Sequence, residues 1–441
     1  MVLGVALCSS MQVEVEQGLL LGETVRSIEN EFINISTYIN VFKYPFTSAF
    51  GGDNSSVTIF GESAGSGSVD FHLLSKKSRY LFHQAILESG TSIAPWSYRD
   101  DHEMNKVNEA FRLGSLLNCT TGDTFALVKC LKLVDPMVIA ETVALNGIRM
   151  RPTIDGVFLE ESPITMTERG DFKDCPLIIG FNKDEGTVYI PLLFPKYLQS
   201  KEAPYLNKEN FDMLVVKVLQ ENNPFVHELL EDAVKQEYVD WSQWDNQTSD
   251  YFDTIVPILG DEVFSCPSLK TARAHATMMP VFESYQTGPG YLGAGHAEEL
   301  QFVFGFPFIP EMVGMHGPMT NEEKELSDKF MRFWTNFAHS GEPSRHNVSS
   351  SPGTGEWAWP TFTVPGLEYK DVSVELPVGN GIKADECVFW NDFKPKLLTI
   401  TASMDQTEVE WREEFSGWQK DLEEWRMSLR DYKQDPNCDD Q

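Results

Sequence analysis

The stretch Val57-Thr-Ile-Phe-Gly-Glu-Ser-Ala-Gly65 decides the fold that we predict for this chain. A short β-branched run comes first, a G-x-S-x-G motif follows, and apolar residues then recur at helical spacing over residues 69–81. This order predicts a strand, a sharp turn and a helix. The glycines at both ends of the motif avoid Cβ clashes in such a turn, which lifts the serine hydroxyl above the sheet. Ser63 is therefore the candidate nucleophile.

Further strand and helix patterns extend this unit into an α/β fold. The apolar runs 85–87 and 177–179 each stop at Ser/Gly or Gly and are typical of buried parallel strands, and residues 281–285 indicate another strand. Helical patterns such as 105–117 and 322–339 separate the strands. Strands that alternate with helices indicate a mostly parallel sheet with helices on both faces.

Charge and composition exclude several kinds of function. The chain has 35 Lys and Arg against 66 Asp and Glu, a net charge of −31. So acidic a chain does not bind nucleic acid non-specifically, whereas a cleft lined by this charge attracts cations. No apolar run reaches the ~18 residues of a membrane-spanning helix. Residues 1–8 are apolar but lack a basic region and a convincing cleavage site, so we assign no signal peptide.

Several motifs together resemble the signature of type-B carboxylesterases and cholinesterases. They are Phe50-Gly-Gly-Asp53, Ser56 to Gly65, His72-Leu-Leu-Ser75, Leu81-Phe-His83 and Ser89-Gly90. One departure is Asn54, where this family usually has proline. The resemblance runs from about Phe50 to the C-terminus. It implies an α/β-hydrolase domain over residues 51–400, with residues 1–50 as a remnant of the family's first strands (13–22 and 41–46).

The same resemblance implies the catalytic residues. A serine hydroxyl needs a base, and the base needs an acid that orients it. Asn182-Lys-Asp-Glu-Gly186 resembles the acid motif of the family, and Gly295-His-Ala-Glu-Glu299 resembles its histidine motif. Without the resemblance, nine histidines would compete for the role of base. The implied reaction forms an acyl-enzyme and uses no cofactor or metal. Its nucleophile, acid, base and oxyanion N–H donor are Ser63, Glu185, His296 and Ala64.

Five residues fall at substrate-binding positions of the family: Glu62, Trp96, Ile148, Tyr189 and Glu299. In cholinesterases the position of Glu62 favours a cationic substrate, and Glu299 resembles a second carboxylate that supports it. The alternative is a solvated charge pair. Asn146 and Ile148 stand where acetyl-specific enzymes carry phenylalanines, and Val188 lacks a π face for a cation. Acetylcholine, larger acylcholines and a broad range of esters therefore all stay open.

Cysteines and sequons favour a secreted or cell-surface glycoprotein. The resemblance implies disulfides between Cys119 and Cys130 and between Cys266 and Cys387, whereas the alternative is buried thiols in a cytosolic protein. Cys8 and Cys175 have no assigned partner. Sequons for N-glycosylation begin at Asn34, Asn54, Asn118, Asn246 and Asn347.

Aromatic and apolar residues near the C-terminus follow a heptad pattern. Trp411, Trp418 and Trp425 are spaced by seven residues, which predicts a helical seam. Residues 404–441 resemble the tryptophan amphiphilic tetramerisation tail of cholinesterases. The resemblance implies a homotetramer with an interchain disulfide at Cys438. It also implies a proline-rich anchor, from a collagen-like tail or a membrane anchor, that holds the protein at the cell surface or synapse. The alternative is a helix packed on its own domain.

One part of the family pattern is absent from the sequence. Family members carry a long segment between the strand that 41–46 resembles and the motif at 50–53, and this segment includes an HGGG oxyanion loop and a choline-binding tryptophan. Here the two elements are nearly adjacent, and no H-G-G-G string occurs. Loss of one oxyanion donor costs about 10² to 10³ in rate. We therefore expect impaired catalysis.

Three functions stay open on the sequence. The first is a serine esterase that hydrolyses choline esters. The second is a non-catalytic cholinesterase-like binding or adhesion protein, which the absent loop favours. The third is a broad-specificity carboxylesterase, which the tail disfavours.

Overall fold

The computed structural model describes the chain in segments. They are residues 5–6, 51–98, 103–119, 122–148, 150–194, 202–222, 228–244, 246, 248–275, 280–282, 292–316, 318–345, 351, 353–401, 411, 418, 422 and 425. The predicted first strands at 13–22 and 41–46 lie outside these residues.

A single sheet runs through the described segments, and the order of its strands follows the chain. Strands β1 to β6 are parallel to their neighbours, and β7 pairs antiparallel with β6. This confirms the predicted α/β class with a mostly parallel sheet. The strands are β1 (Val5–Ala6), β2 (Thr58–Glu62), β3 (Gln84–Glu88), β4 (Leu177–Asn182), β5 (Pro280–Phe282), β6 (Glu368–Val372) and β7 (Val378–Asn380).

Helices fill the connections between the strands, as parallel pairing requires. Five of them matter most for the site: α1 (Ala64–Leu74), α10 (Cys266–Ala274), α11 (Leu300–Val303), α13 (Asn321–Ser340) and α14 (Ala384–Val388). The other helices are α2 (Glu103–Leu116), α3 (Thr124–Leu131), α4 (Pro136–Asn146), α5 (Pro163–Arg169), α6 (Ile190–Leu193), α7 (Lys208–Asn222), α8 (Glu228–Tyr238), α9 (Phe252–Gly260) and α12 (Pro310–His316). Two π-helical turns, Asp261–Ser265 and Phe389–Phe393, precede α10 and follow α14.

The core lies on both faces of the sheet, because successive side chains of a buried strand point in opposite directions. Ile86 of β3 packs against α13 through Phe330 and its neighbours. The next residue, Leu87, belongs to the larger cluster on the opposite face, which includes Leu73 of α1. Each such aliphatic side chain contributes about 1.5–3 kcal/mol when it is fully buried. The burial of both faces explains why the strands are continuous apolar runs rather than alternating ones.

The helix after the G-x-S-x-G motif has different bounds from the predicted 69–81. It begins at Ala64, because the turn at Ser63 is completed within one residue and the Ser63 carbonyl already accepts from the Gly67 N–H. It ends at Leu74, where the Arg79 guanidinium donates to the Leu73 and Leu74 carbonyls that the helix leaves unpaired. The apolar spacing beyond Leu74 comes from a turn that packs on the core.

Both predicted intrachain disulfides are present. Cys119–Cys130 joins the segment after α2 to α3, and Cys266–Cys387 joins α10 to α14 across 121 residues of sequence. Cys175 is a free, partly buried thiol, and Cys8 and Cys438 lie outside the described residues.

The described residues of the C-terminal tail are helical, and their side chains are more than half exposed. They are Trp411, Trp418, Leu422 and Trp425. Of the sequon asparagines, Asn118 and Asn246 are exposed and Asn54 is partly exposed, whereas Asn34 and Asn347 lie outside the described segments. Across the described part of the chain, every helix is too short or too polar to cross a membrane.

Candidate active site

Ser63 occupies a strained turn between β2 and α1. Its φ of 58° and ψ of −121° are unusual for a residue with a side chain and cost about 1–3 kcal/mol. Two glycines make the turn possible, because a Cβ on Gly61 would lie 2.4 Å from the Gly65 carbonyl carbon and one on Gly90 would lie 2.5 Å from the Ser63 carbonyl oxygen. The sequence therefore uses glycine where backbone segments approach most closely.

The three predicted catalytic side chains come together in one hydrogen-bonded chain. Ser63 Oγ lies 2.8 Å from His296 Nε2, and His296 Nδ1 lies 2.6 Å from Glu185 Oε2. Glu185 is almost fully buried, and its other oxygen accepts from the Asn182 N–H at 2.7 Å. Residues far apart in sequence thus meet in the order nucleophile, base and acid.

The charge around His296 favours its protonated form. Burial lowers the pKa of His296, but the charge of Glu185, its hydrogen bond and the charge of Glu62 together outweigh burial and raise the pKa above its ordinary value. A base with this environment takes a proton readily and holds it through the formation of an oxyanion. The arrangement is suited to proton transfer from Ser63.

The turn that carries Glu185 is braced against the loop that carries His296. The Asp184 N–H donates to the Ala294 carbonyl at 2.9 Å, and the Ala294 N–H donates back to Asp184 Oδ2 at 2.9 Å. A Cβ on Gly293, whose φ is 62°, would lie 2.0 Å from Asp184 Oδ2. Asn182 adds a third bond, from its Nδ2 to the Gly295 carbonyl at 2.8 Å. These contacts fix the acid relative to the base.

Glu299 is fully buried and Glu62 is mostly buried, so the two are not a solvated charge pair and that alternative is wrong. Glu62 Oε1 lies 3.1 Å from His296 Nε2, and its side chain is only 15% exposed. Burial raises the pKa of Glu62 to about 7, although the charge of His296 opposes the shift. Glu299 is fully buried and accepts a 2.5 Å hydrogen bond from Asn182 Nδ2. Burial, with the charges of Glu88 and other carboxyl groups, raises the pKa of Glu299 well above its usual range.

Trp96 lies next to Phe264, a residue beside His296 that sequence reasoning missed. Trp96 Nε1 donates to the Val263 carbonyl at 2.8 Å, and its ring lies 5.8 Å from that of Phe264. The Phe264 ring in turn lies 4.4 Å from the His296 ring. Phe264 belongs to the π-helical turn Asp261–Ser265. No sequence pattern predicts that turn, so nothing pointed to Phe264.

The other predicted substrate residues lie in the core, against it or at the surface. Ile148 is buried with Leu113 and Leu127 in the core of the disulfide-linked helices. Tyr189 is partly buried against the main core, and Val188 is 41% exposed. Their assignment to the pocket stays a prediction. Ala64 is the first residue of α1, where backbone N–H groups have no partner within the helix, so its role as oxyanion donor also stays a prediction.

A metal centre finds no support in the described segments, where no three His, Cys, Asp or Glu side chains are grouped to hold an ion. Two features together define the α/β-hydrolase class: a mostly parallel sheet with helices on both faces, and a strained serine bonded to a histidine that is itself bonded to a glutamate. A sequence model of the carboxylesterase family matches residues 46–390. The chain belongs to the carboxylesterase family.

Two curated relatives show the degree of similarity. The chain is 33% identical over 404 residues to a protein named cholinesterase from Mus musculus, which covers 87% of this chain and 63% of that protein. It is 31% identical over 405 residues to an acetylcholinesterase from Bungarus fasciatus, which covers 88% of this chain and 64% of that protein. The chain thus spans less than two thirds of the length of these relatives.

Proposed function

We propose that this protein is a serine ester hydrolase of cholinesterase type that acts through an acyl-enzyme on Ser63. The single observation that carries the proposal is the hydrogen-bonded chain from Ser63 Oγ through His296 to Glu185, with heavy-atom distances of 2.8 and 2.6 Å. Family membership supports the class of reaction.

The geometry supports a two-step mechanism. Ser63 Oγ attacks the ester carbonyl carbon while its proton passes to His296 Nε2, and Glu185 stabilises the imidazolium that forms. When the tetrahedral intermediate collapses, the C–O bond to the alcohol breaks and His296 returns the proton to the leaving oxygen. In the second step His296 takes a proton from water as its oxygen attacks the acyl carbon. The bond from that carbon to Ser63 Oγ then breaks, His296 returns the proton to Oγ, and the acid is released.

Oxyanion stabilisation is the weak point of this mechanism. We assign one donor, the Ala64 N–H at the start of α1. The sequence contains no H-G-G-G string to supply the others. We therefore expect turnover that is about 10² to 10³ slower for each donor that the family pattern has and this chain lacks.

A cationic choline ester is the proposed substrate. Glu62 puts a mostly buried carboxyl group beside His296, where the quaternary ammonium of a choline ester would gain from its charge. The net charge of −31 attracts cations over longer distances. The names of both relatives refer to cholinesterase activity. The acyl preference is open between acetyl and larger groups, and a broad ester range is the competing specificity.

Turnover of matched esters tests the substrate class. Butyrylcholine and 3,3-dimethylbutyl butyrate share an acyl group and differ in the positive charge. The assay is best run near pH 8, since the pKa of Glu62 is about 7 and its carboxyl is then mostly ionised. We expect Glu62→Gln to lower kcat/KM for butyrylcholine about tenfold, a loss of ~1.4 kcal/mol, and to leave the neutral ester nearly unchanged. Equal losses for both esters would support a broad carboxylesterase.

A second candidate function is a non-catalytic cholinesterase-like binding or adhesion protein. The absent H-G-G-G string is the observation that favours it. This candidate predicts that the folded protein neither hydrolyses esters nor reacts at Ser63 with an activated phosphonate. Reaction at Ser63 would rule it out, because an inert serine hydroxyl does not attack such a reagent at an appreciable rate.

The C-terminal tail is proposed to assemble four chains around a proline-rich anchor at the cell surface or in the extracellular space. Its support is the spacing of three tryptophans by seven residues and their exposure of 59%, 64% and 81%. Sedimentation should give a tetramer for the full chain, and a monomer after replacement of Trp411, Trp418 and Trp425 by alanine. A full-length monomer would contradict this assignment.

A further inference from the structure

A third carboxyl group, that of Glu88, lies behind the catalytic histidine beside Glu62 and Glu299. Glu88 is the last residue of β3, and the strand register pairs it with Glu62 of β2. Directly paired residues of parallel strands project from the same face of the sheet. On the other side Glu88 pairs with Gly180 of β4. Asn182, two residues further along β4, projects from that same face and holds Glu299.

The charges that face Glu88 are nearly all negative. Glu62 comes from β2 and Glu299 directly precedes α11, while α13 contributes the neutral indole of Trp334. Glu185, from the turn after β4, adds its charge at Glu62 and Glu299. His296 is the basic side chain whose charge acts on Glu62. Glu88 and Glu299 are both 0% exposed. Four ionised carboxylates against at most one imidazolium would leave a large uncompensated charge away from water.

Hydrogen bonding indicates where a proton resides. Trp334 Nε1 donates to Glu88 Oε1 at 2.9 Å, so this oxygen acts as the acceptor. The other oxygen, Glu88 Oε2, is buried and accepts from no donor among the described residues. Glu299 Oε1 is likewise buried and accepts from no donor among the described residues, whereas Glu299 Oε2 accepts from Asn182. A hydroxyl on Glu88 Oε2 removes the need for a donor there and can itself donate, directly or through water, to an unpaired carboxyl oxygen.

We propose that Glu88 is a positioning residue whose protonated carboxyl allows Glu62 and Glu299 to lie as a pair behind His296. The residue touches neither the ester nor the reacting atoms. It limits the negative charge that His296 experiences and fixes the Glu299 side chain through a shared proton. This inference rests on the proposed esterase function, because positioning of His296 matters for catalysis only if His296 is the base.

The electrostatics of the cluster agree with this geometry. Burial raises the pKa of Glu88 to about 8, against the hydrogen bond from Trp334 and with help from the charge of Glu62. An ionised Glu88 would raise the pKa of Glu299 more than any other charge does, so the two carboxyl groups do not readily ionise together. Since the folded pKa exceeds the unfolded value of about 4.5, the unfolded chain releases this proton first as the pH rises. Glu88 therefore lowers stability progressively between pH 4.5 and about 8, and its contribution is constant above that.

Glu88→Gln tests the proposal because glutamine imitates the protonated acid. Its carbonyl accepts from Trp334 and its amide donates, but it cannot ionise. We expect the melting temperature of the variant, relative to the wild type, to rise by several degrees between pH 5 and pH 8 and to level off above pH 8. Glu209→Gln, at an exposed site on α7, is the matched control and should show no such trend. A difference that does not vary with pH would overturn the proposal.

An infrared titration of the wild-type protein covers the case in which the variant does not fold. A protonated carboxyl group absorbs as a C=O stretch that disappears on ionisation. The pKa values of Glu62 and Glu299 are also raised, so we expect more than one such band at pH 6.5 and assign to Glu88 the component that is lost around pH 8. Its absence at pH 6.5 would overturn the proposal. Neither measurement needs turnover, so a failed esterase assay and a failed proton assignment can be told apart. If the protein is active, the pH profile of Glu88→Gln should lack the step near pH 8 that ionisation of Glu88 adds to the wild-type profile.

Discussion

Replacement of Asn182 by alanine should separate the acid from the base with little change elsewhere. The Asn182 side chain is fully buried and donates twice, to the Gly295 carbonyl at 2.8 Å and to Glu299 Oε2 at 2.5 Å. Alanine keeps the backbone N–H that holds Glu185, but it leaves Glu299 Oε2 without a donor and the Gly295 carbonyl with only the Glu298 N–H, at 3.2 Å. A buried acceptor that loses its partner costs about 1–3 kcal/mol. One such group, Glu299 Oε2, predicts a loss of about 1–3 kcal/mol in the free energy of unfolding.

The catalytic effect follows from the position of Gly295, which directly precedes His296. Loss of the hydrogen bond from Asn182 to the Gly295 carbonyl loosens the loop that carries His296. A displacement of the catalytic imidazole on the order of 1 Å costs about 10² in rate. The rate of reaction of Ser63 with an activated fluorophosphonate measures this effect without the need for turnover, and chemical denaturation measures stability.

Asn391→Ala is the matched control, because Asn391 Nδ2 makes one hydrogen bond, to the Cys266 carbonyl at 2.9 Å, away from the loop that carries His296. It should cost about 1 kcal/mol of stability and leave the phosphonylation rate unchanged. The reasoning would be refuted if Asn182→Ala lost less than ~0.5 kcal/mol and reacted at the wild-type rate, since the brace would then carry neither stability nor alignment.

Three further predictions follow from the same geometry. Gly90→Ala introduces a Cβ 2.5 Å from the Ser63 carbonyl oxygen, so it should destabilise the protein by about 1–3 kcal/mol and abolish phosphonylation; a normal rate would show that the turn can relax. The acidic limb of kcat/KM should have its midpoint above pH 6.5, and Glu62→Gln should move it to lower pH because the charge of Glu62 raises the pKa of His296; an unmoved midpoint would contradict this coupling. Replacement of Cys266 and Cys387 by serine should cost about 5 kcal/mol by loop-closure entropy, measured by denaturant unfolding; a loss below ~1 kcal/mol would refute that account.

Local sequence patterns predicted the elements whose conformation depends on residues that are neighbours in the chain. The β-branched run and glycines around Ser63 predicted the strand, turn and helix, and family motifs identified Glu185 and His296 as residues that the structure brings together with Ser63. Helix bounds were less accurate. Apolar spacing continues through Leu81 although the helix ends at Leu74, because a turn can bury the same residues.

Contacts between distant segments could not be predicted from single residues. Trp334 and Glu88 are 246 positions apart, and only the packing of α13 on the sheet brings the indole to the carboxyl group. Phe264 lies in a π-helical turn, and from there its ring contacts His296. No sequence pattern predicts a π-helical turn at this place. The pairing of Val5 and Ala6 with β2 was likewise unforeseen, since a run so short has no periodicity.

Covalent labelling of Ser63 tests the central claim most directly. The purified full chain would be treated with an activated fluorophosphonate and examined by intact mass and peptide mapping, with Ser63→Ala and His296→Ala as controls. The account predicts one phosphonyl group per chain, located on Ser63, absent from Ser63→Ala and formed far more slowly in His296→Ala. A folded wild-type protein that stays unlabelled, or that reacts no faster than His296→Ala, would contradict an activated nucleophile at Ser63.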